Sequence, residues 1–492
     1  MSPDQNYLLV TFTIYLLSML GIGFFAWTKT NDLSDYILGG RKLGYWTTAL
    51  SAGASDMSAW LLLGLPGYAY VAGYEAIWIA VGLMIGTTLN WFLVAPGLRQ
   101  QSEAMGNALT IPEFLENRFQ DKSHTIRTIS ALFILFFFIF YISSGLVAGG
   151  KLFESVFNLP YNWAVITGTV AILIYTTLGG FLAVSWTDLF QGLLMSLALV
   201  ITVLYALNMS GGWPATHVAM ASQNSALTDL FLTLDNQSLS NLGIISLLGW
   251  GLGYFGQPHI LTRFMAIRSH TMIPSARNIA LVWTFVCLSC ALLIGFSGIA
   301  LVEINLVESD SEKVFIEIVQ LLFHPVPAGI CLAAILAAIM STADSQLLVA
   351  STAFTEDLYQ TLFNRDASQA SLLMIGRFMV VCIAMAACVM ALHQKETVLS
   401  LVAYAWAAFG AAFGPVILLS LFWEKLTLKA AVSGIITGAV TVIIWHQLDV
   451  GIFGLYEIVP AFLISISHMC NSKLSQVMNC ICEDNKIKKR QK

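Results

Sequence analysis

The sequence predicts an all-α polytopic membrane protein of about thirteen transmembrane helices. Three observations point there. Hydrophobic residues make up 57% of the 492-residue chain and charged residues only 10%, where a soluble domain carries about 25% charged residues. The mean hydropathy is +0.77. Apolar stretches of membrane-spanning length recur near 7–27, 45–71, 75–96, 127–149, 163–183, 188–207, 239–258, 278–303, 327–354, 372–392, 398–422, 427–446 and 451–470. Disorder, collagen and disulfide scaffolds are incompatible with that composition. So is nucleic-acid binding, because 28 acidic residues nearly cancel 23 basic ones.

The basic residues orient the spans. Lysine and arginine gather on the cytoplasmic side of membrane proteins. With an odd number of spans and the N-terminus outside, all 23 bases fall on the inner side except Lys151, Lys313 and Lys395. A miscounted helix would invert every later loop and destroy this asymmetry, so the expected orientation is N-out, C-in. Residues Met1 to Tyr7 hold Asp4 and no base, so no secretory signal is expected and the first apolar run should persist. The loops are short, and the longest, about 208–238, is expected to form an external cap. The expected division is a membrane domain over residues 1–470 and a short basic tail over 471–492, too short for a kinase, ATPase or redox module.

Cysteine and histidine offer little chemistry. Cys287, Cys290, Cys331, Cys382 and Cys388 sit in apolar runs, and Cys470, Cys480 and Cys482 lie in or near the tail. The Cys287–Cys290 pair lacks two further ligands nearby for zinc, and small packing residues explain it. The histidines are scattered, so no haem or metal cofactor is expected.

Inside lipid every backbone N–H and C=O needs a partner, so a helix break is tolerated only where it lines protein or a water-filled cavity. Two spans carry break signals. The second contains Ser51-Ala52-Gly53-Ala54-Ser55-Asp56-Met57-Ser58-Ala59-Trp60, small and polar with an acid at its centre. The seventh contains Gly249-Trp250-Gly251-Leu252-Gly253-Tyr254-Phe255-Gly256-Gln257-Pro258-His259. Glycine alone also serves helix packing. An offset of five spans between two such segments, however, is the mark of a five-plus-five inverted-repeat transporter. The repeats would be spans 2–6 and 7–11, with spans 1, 12 and 13 as additions.

The ninth span adds Ala338, Ser341 and Thr342, which share one helix face at i, i+3 and i+4. Two hydroxyls there can serve a hard cation, which takes oxygen ligands. Facing the carbonyls freed in span 2, they would close a sodium-sized cage. Ordinary Ser/Thr bonding to the preceding helical turn accounts for the same residues.

These stretches resemble the sodium/solute symporter family. The resemblance rests on Asp35-Tyr36-Ile37-Leu38-Gly39-Gly40-Arg41, on the two broken segments, and on Gly180-Phe181-Leu182-Ala183-Val184-Ser185-Trp186-Thr187-Asp188. Met340-Ser341-Thr342 and the run from Tyr404 to Pro415 complete it, in collinear order over roughly residues 7–465. Several of these motifs mark the proline-carrying branch. The resemblance implies sodium-coupled uptake of L-proline across the cell membrane, no enzymatic activity, and no cofactor beyond Na⁺ as coupling ion. It also implies a sodium site from the Ala54 and Met57 carbonyls with Ala338, Ser341 and Thr342. Asp56, Arg41 and Asp188 would serve sodium coupling, and Ser58, Ala59, Tyr141, Trp250, Tyr254 and Pro258 would surround proline. Ala59 replaces the glycine usual in relatives.

Other roles fit some of these residues. Asp188 opens a span, where an acid suits the helix dipole. Arg41 is also a positive-inside base. Tyr141, Trp250 and Tyr254 also suit plain helix packing. Asp56 is the exception, because an acid at mid-membrane costs at least about 2.5–3.5 kcal/mol. The rival functions are a symporter of another solute, such as a sugar or carboxylate, and a sodium-gated sensor, which would need an output domain.

Overall fold

The computed structural model describes residues 3–27, 33–301, 306–393, 396–448 and 451–471. Lys29, Lys395, Cys480, Cys482 and the expected basic tail from Lys473 to Lys492 lie outside the described residues. The architecture is all-α. The first repeat and its leading helices comprise α1 (Pro3–Trp27), α2 (Leu33–Leu38), α3 (Tyr45–Asp56), α4 (Gly64–Ala72), α5 (Ile77–Leu89), α6 (Ala95–Ala104), α7 (Ile111–Phe119), α8 (Thr125–Phe157) and α9 (Tyr161–Met209). After α10 (Trp213–Gln223), the second repeat runs through α11 (Asn241–Gly249), α12 (Pro258–Ala266), α13 (Ile273–Ala300), α14 (Val314–Leu322), α15 (Pro325–Thr352), α16 (Gln369–His393) and α17 (Val398–Phe422). The chain closes with α18 (Leu428–His446) and α19 (Ile458–Asn471).

Each apolar stretch read from the sequence coincides with a helix or a pair of half-helices. Nine helices among the described residues are long and apolar enough to cross a membrane. The remaining stretches are the two broken spans and the shorter apolar helices Tyr161–Ile174 and Ile458–Asn471. Spans 5 and 6 run together in α9, divided at Gly180, whose φ of 64° turns the chain out of the right-handed helix. A Cβ there would also strike the Tyr36 ring at 2.7 Å, so glycine is required twice over.

Both break signals produce breaks. α3 stops at Asp56; Met57 leaves helical geometry (φ −84°, ψ 76°), and the span resumes as α4 only at Gly64. α11 stops at Gly249, the backbone tightens into a 3₁₀ turn over Trp250–Gly256, and α12 starts at Pro258. Proline suits a first helical turn, where its missing N–H leaves nothing unpaired. Gln257 bridges the gap, donating to the Gly253 carbonyl at 3.2 Å and the Trp406 carbonyl at 3.1 Å. The glycines of this segment also permit close packing. A Cβ on Gly251 would meet the Gly82 carbonyl of α5, and one on Gly253 would enter the Trp406 indole of α17.

α15 is buried along most of its length and packs against α1, α3, α8, α9 and α16. The two ends of the molecule differ. Beyond α4, Gly73 lies against Leu227, and the 208–238 segment forms an ordered cap containing α10, with Trp213 stacked on Tyr74. At the start of α3, Leu43 pairs with Ile267 beyond α12. Arg41, Arg99 and Arg268 all sit at this second end, where Arg99 donates to the Ile267 carbonyl at 2.7 Å.

Candidate functional site

The break in span 2 frees one carbonyl in particular. In a continuous helix the Ser58 N–H would bond to Ala54 O; here it bonds instead to Asp56 O at 3.0 Å. α15 supplies the replacement donors. Ser341 Oγ lies 2.8 Å from Ala54 O and Thr342 Oγ1 lies 3.4 Å from it. Ser341 Oγ also reaches the Ala338 carbonyl at 3.2 Å. The cage residues Ala54, Ala338, Ser341, Thr342 and Met57 are all buried. The Ala54 and Ala338 carbonyls and the Ser341 and Thr342 hydroxyls converge between a broken helix and an intact one, oxygens of the kind a hard monovalent cation takes. Ser341 also makes the ordinary bond to its own preceding turn.

Asp56 sits beside this cage and joins the two broken spans. It is 3% exposed, and the Tyr254 hydroxyl donates to its Oδ2 at 2.6 Å. Trp60 Nε1 donates to the Asp56 carbonyl at 3.3 Å, and Ser58 caps the short turn that follows. The Tyr141 hydroxyl of α8 lies beside Ser58 and Asp56. Trp250 lies against Trp60 at 6.3 Å and Tyr456 at 5.5 Å between ring centroids, and its carbonyl accepts from Trp406 Nε1 at 2.7 Å. Tyr254 meets Trp406 edge-on at 5.1 Å. Ala59 is fully buried and Pro258 heads α12. Asp56, Ser58, Tyr141 and Tyr254 therefore form one cluster, and the tryptophans wall it. These side chains pack on one another, so a solute entering here must part them.

Asp188 belongs to a separate buried group. Its Oδ2 accepts from Ser51 at 2.6 Å, Ser55 at 3.1 Å and Arg263 at 3.2 Å. Arg263 in turn bonds to Ser345 of α15, to Ser51 at 3.1 Å and to the His259 carbonyl at 2.9 Å. Asp188, Arg263, Ser51, Ser55 and Ser345 are all 0% exposed. The group ties the first half of span 2 to span 6, α12 and α15. Asp344, also buried, lies within electrostatic reach of Arg263.

Arg41 joins neither group. It grips backbone at the base-rich end, donating to the Met265 carbonyl at 2.6 Å and the Ala108 carbonyl at 2.8 Å, and to Asn107 at 2.9 Å. Burial, then the nearby Arg99, pulls its guanidinium down to about 10, still cationic at neutral pH. Arg263, Ser345, Trp60 and Trp406 are the site-forming residues that carried no role in the sequence. Arg263 had a faint signal, as a base only five positions after Pro258.

A family model described as the sodium:solute symporter family matches residues 36–438. The chain belongs to the sodium:solute symporter family. It is 50% identical over 461 residues to the sodium/proline symporter of Escherichia coli, covering 93% of this chain and 90% of that one. To the sodium/proline symporter of Staphylococcus aureus it is 46% identical over 475 residues, covering 94% and 91%. Among solved structures, a Na⁺-coupled sialic acid symporter in a substrate-bound, outward-open state superposes with a TM-score of 0.76. It shares 18% identity and covers 94% of this chain and 96% of that one. At that identity the likeness speaks for the fold, the five-plus-five inverted repeat. This member of the family is a multi-pass membrane transporter rather than an enzyme, and both repeats place a broken span at its centre.

Proposed function

We propose that this protein is a secondary active transporter of the cell membrane that carries L-proline inward together with Na⁺. One observation carries the reading. The carbonyl freed at Ala54 meets the Ser341 and Thr342 hydroxyls of α15, two residues from an acid held by the other broken span. Sodium bound by Ala54, Met57, Ala338, Ser341 and Thr342 fixes the break of span 2. Asp56 and Tyr254 then pass that order to the second break. The amino acid is a zwitterion: its carboxylate suits N–H groups freed at a break, and its amine suits oxygens. Trp250, Tyr141 and Tyr254 provide walls for the pyrrolidine ring, with Ser58, Ala59 and Pro258 around it. The high identity to two sodium/proline symporters supports the choice of substrate.

The energetics suit accumulation. One Na⁺ crossing 100 mV releases ~2.3 kcal/mol, and a tenfold gradient adds ~1.4 kcal/mol. Together they sustain roughly 500-fold accumulation of a neutral solute. The membrane domain is taken as thirteen spans over residues 1–470, N-out and C-in, with 471–492 as a cytoplasmic tail. Uptake of labelled proline into membrane vesicles, with and without an inward sodium gradient, tests the function. Gradient-driven uptake that unlabelled proline abolishes, and sugars or other carboxylates do not, is expected. Sodium-driven uptake of a different solute in preference to proline would replace the substrate.

A further inference from the structure

An α-helix leaves the carbonyls of its last turn without donors of its own. α12 ends at Ala266, and Ile267 is already extended (φ −63°, ψ 138°). The donors for this end come from two other spans. The Leu43 N–H, just before α3, reaches the Ala266 carbonyl at 3.3 Å, and the Arg268 N–H returns to the Leu43 carbonyl at 3.0 Å. Arg99 of α6 takes the next two carbonyls. Its Nε lies 2.7 Å from Ile267 O and its Nη2 lies 3.2 Å from Arg268 O. With Arg41 on Met265 O, each carbonyl from Met265 to Arg268 is held by a donor from outside α12.

Arg99 stands apart among these donors. Its side chain is 4% exposed, whereas Glu103, its ion-pair partner at 2.6 Å on the same helix, is 61% exposed. A buried charge is costly unless it is paired and hydrogen-bonded, and here the end of α12 supplies much of that bonding. A cation at a helix C-terminus also suits the helix dipole. When α12 swings away, water can replace the carbonyls, and Glu103 stays beside Arg99 because α6 carries both. The guanidinium therefore has two arrangements, and neither strands its charge. α12 is the inner half of the second broken span, and Leu43 leads into α3, the inner half of the first. The contact stitches together the two half-helices whose separation opens the inner side.

We propose that Arg99 is a positioning residue for transport, an inner latch. Its grip on the Ile267 and Arg268 carbonyls holds the inner side shut and sets the balance between outward-open and inward-open forms. The proposal rests on the transport function above and on the inner placement of the base-rich end.

The test uses the full chain with Thr262→Cys as reporter, a buried position on α12. In inside-out vesicles an impermeant thiol reagent meets the cytoplasmic face, and labelling is read against the same chain without the added cysteine. Arg99→Gln should speed labelling of the reporter roughly tenfold, the scale of a lost hydrogen bond to a charged group. Arg99→Lys keeps the charge but not the two-pronged grip, so its rate should fall between. Saturating sodium, which orders both breaks, should return the Arg99→Gln rate towards that of the unaltered latch, because a ligand that favours one form draws the population back. In right-side-out vesicles, apparent affinity falls with the fraction of protein facing outward. The external sodium for half-maximal proline binding should therefore rise by a similar factor in Arg99→Gln. Arg99→Lys carries the test if Arg99→Gln fails to reach the membrane. Unchanged labelling in both variants, or fast labelling that sodium does not slow, overturns the latch and leaves Arg99 as plain structure. Absence of sodium-driven proline uptake in the unaltered chain removes the transport function instead, and the latch with it.

Discussion

The Arg263 guanidinium donates to the Asp188 carboxylate at 3.2 Å, and neither side chain is reached by solvent. Removing one partner of such a pair strands the other charge and costs about 3–5 kcal/mol, whereas neutralising both is often tolerated. Asp188→Asn and Arg263→Gln should therefore each lower the amount of protein in the membrane. The double variant should recover much of that loss, because Ser51, Ser55 and Ser345 can still bond to the amides. Sodium dependence of uptake in the recovered double variant then reports on coupling. If sodium still drives uptake normally, the pair is a strut. If protein returns but sodium no longer drives uptake, the charge on Asp188 serves the ion. A double variant as depleted as either single one would contradict the pairing.

Asp56→Asn keeps the shape of the side chain and its bond from Tyr254 while removing the charge. Sodium-driven uptake is expected to collapse with the protein still inserted, as judged by its level in the membrane. Normal sodium dependence in this variant would make Asp56 structural. Tyr254→Phe should produce a milder loss of about 1.5–3 kcal/mol in coupling, the range for a hydrogen bond to a charged group.

The breaks, the inverted repeat and the contact of Ser341 and Thr342 with Ala54 were legible because each leaves a local mark: glycine and proline, an acid in apolar sequence, or hydroxyls sharing one helix face. Arg263 was not. A base near the end of an apolar run looks the same whether it faces the cytoplasm or a buried carboxylate, and only tertiary packing separates the two. Arg41 is a further residue whose surroundings only packing could show. The motif around it is shared with the family, but its side chain holds the Met265 and Ala108 carbonyls, away from both acids. Tyr254 was expected purely as a wall for the solute; its bond to Asp56 gives it a second attachment, to the ion side. Trp60 and Trp406 were indistinguishable from ordinary packing aromatics until the breaks brought them together.

The uneven distribution of bases predicts an N-out, C-in orientation, and labelling checks it. Cysteines placed at Ser240 and Lys313 should react with an impermeant thiol reagent added outside intact cells, and one at Lys425 should not. Lys313 pairs with Asp310 at 2.8 Å near the capped end, and Ser240 caps the start of α11. Labelling at Lys425 alone would reverse the topology.

The two ligands should separate in the remaining pair of variants. Thr342 contacts the Ala54 carbonyl, whereas Trp250 lies among Trp60, Tyr456 and Trp406. Thr342→Ala removes one oxygen, and losing such a partner costs ~1–2 kcal/mol, a five- to thirtyfold rise in the sodium needed for half-maximal uptake. Excess sodium should then largely restore proline affinity, because the wall around the solute is intact. Trp250→Ala should weaken proline even at saturating sodium, because it removes a wall and leaves the ion cage whole. Each ligand must assist the other equally, so intermediate sodium concentrations will show effects in both variants. The limits at high sodium remain distinct. Proline binding measured over a sodium series decides between them: rescue of Trp250→Ala by saturating sodium, with none for Thr342→Ala, would exchange the two assignments.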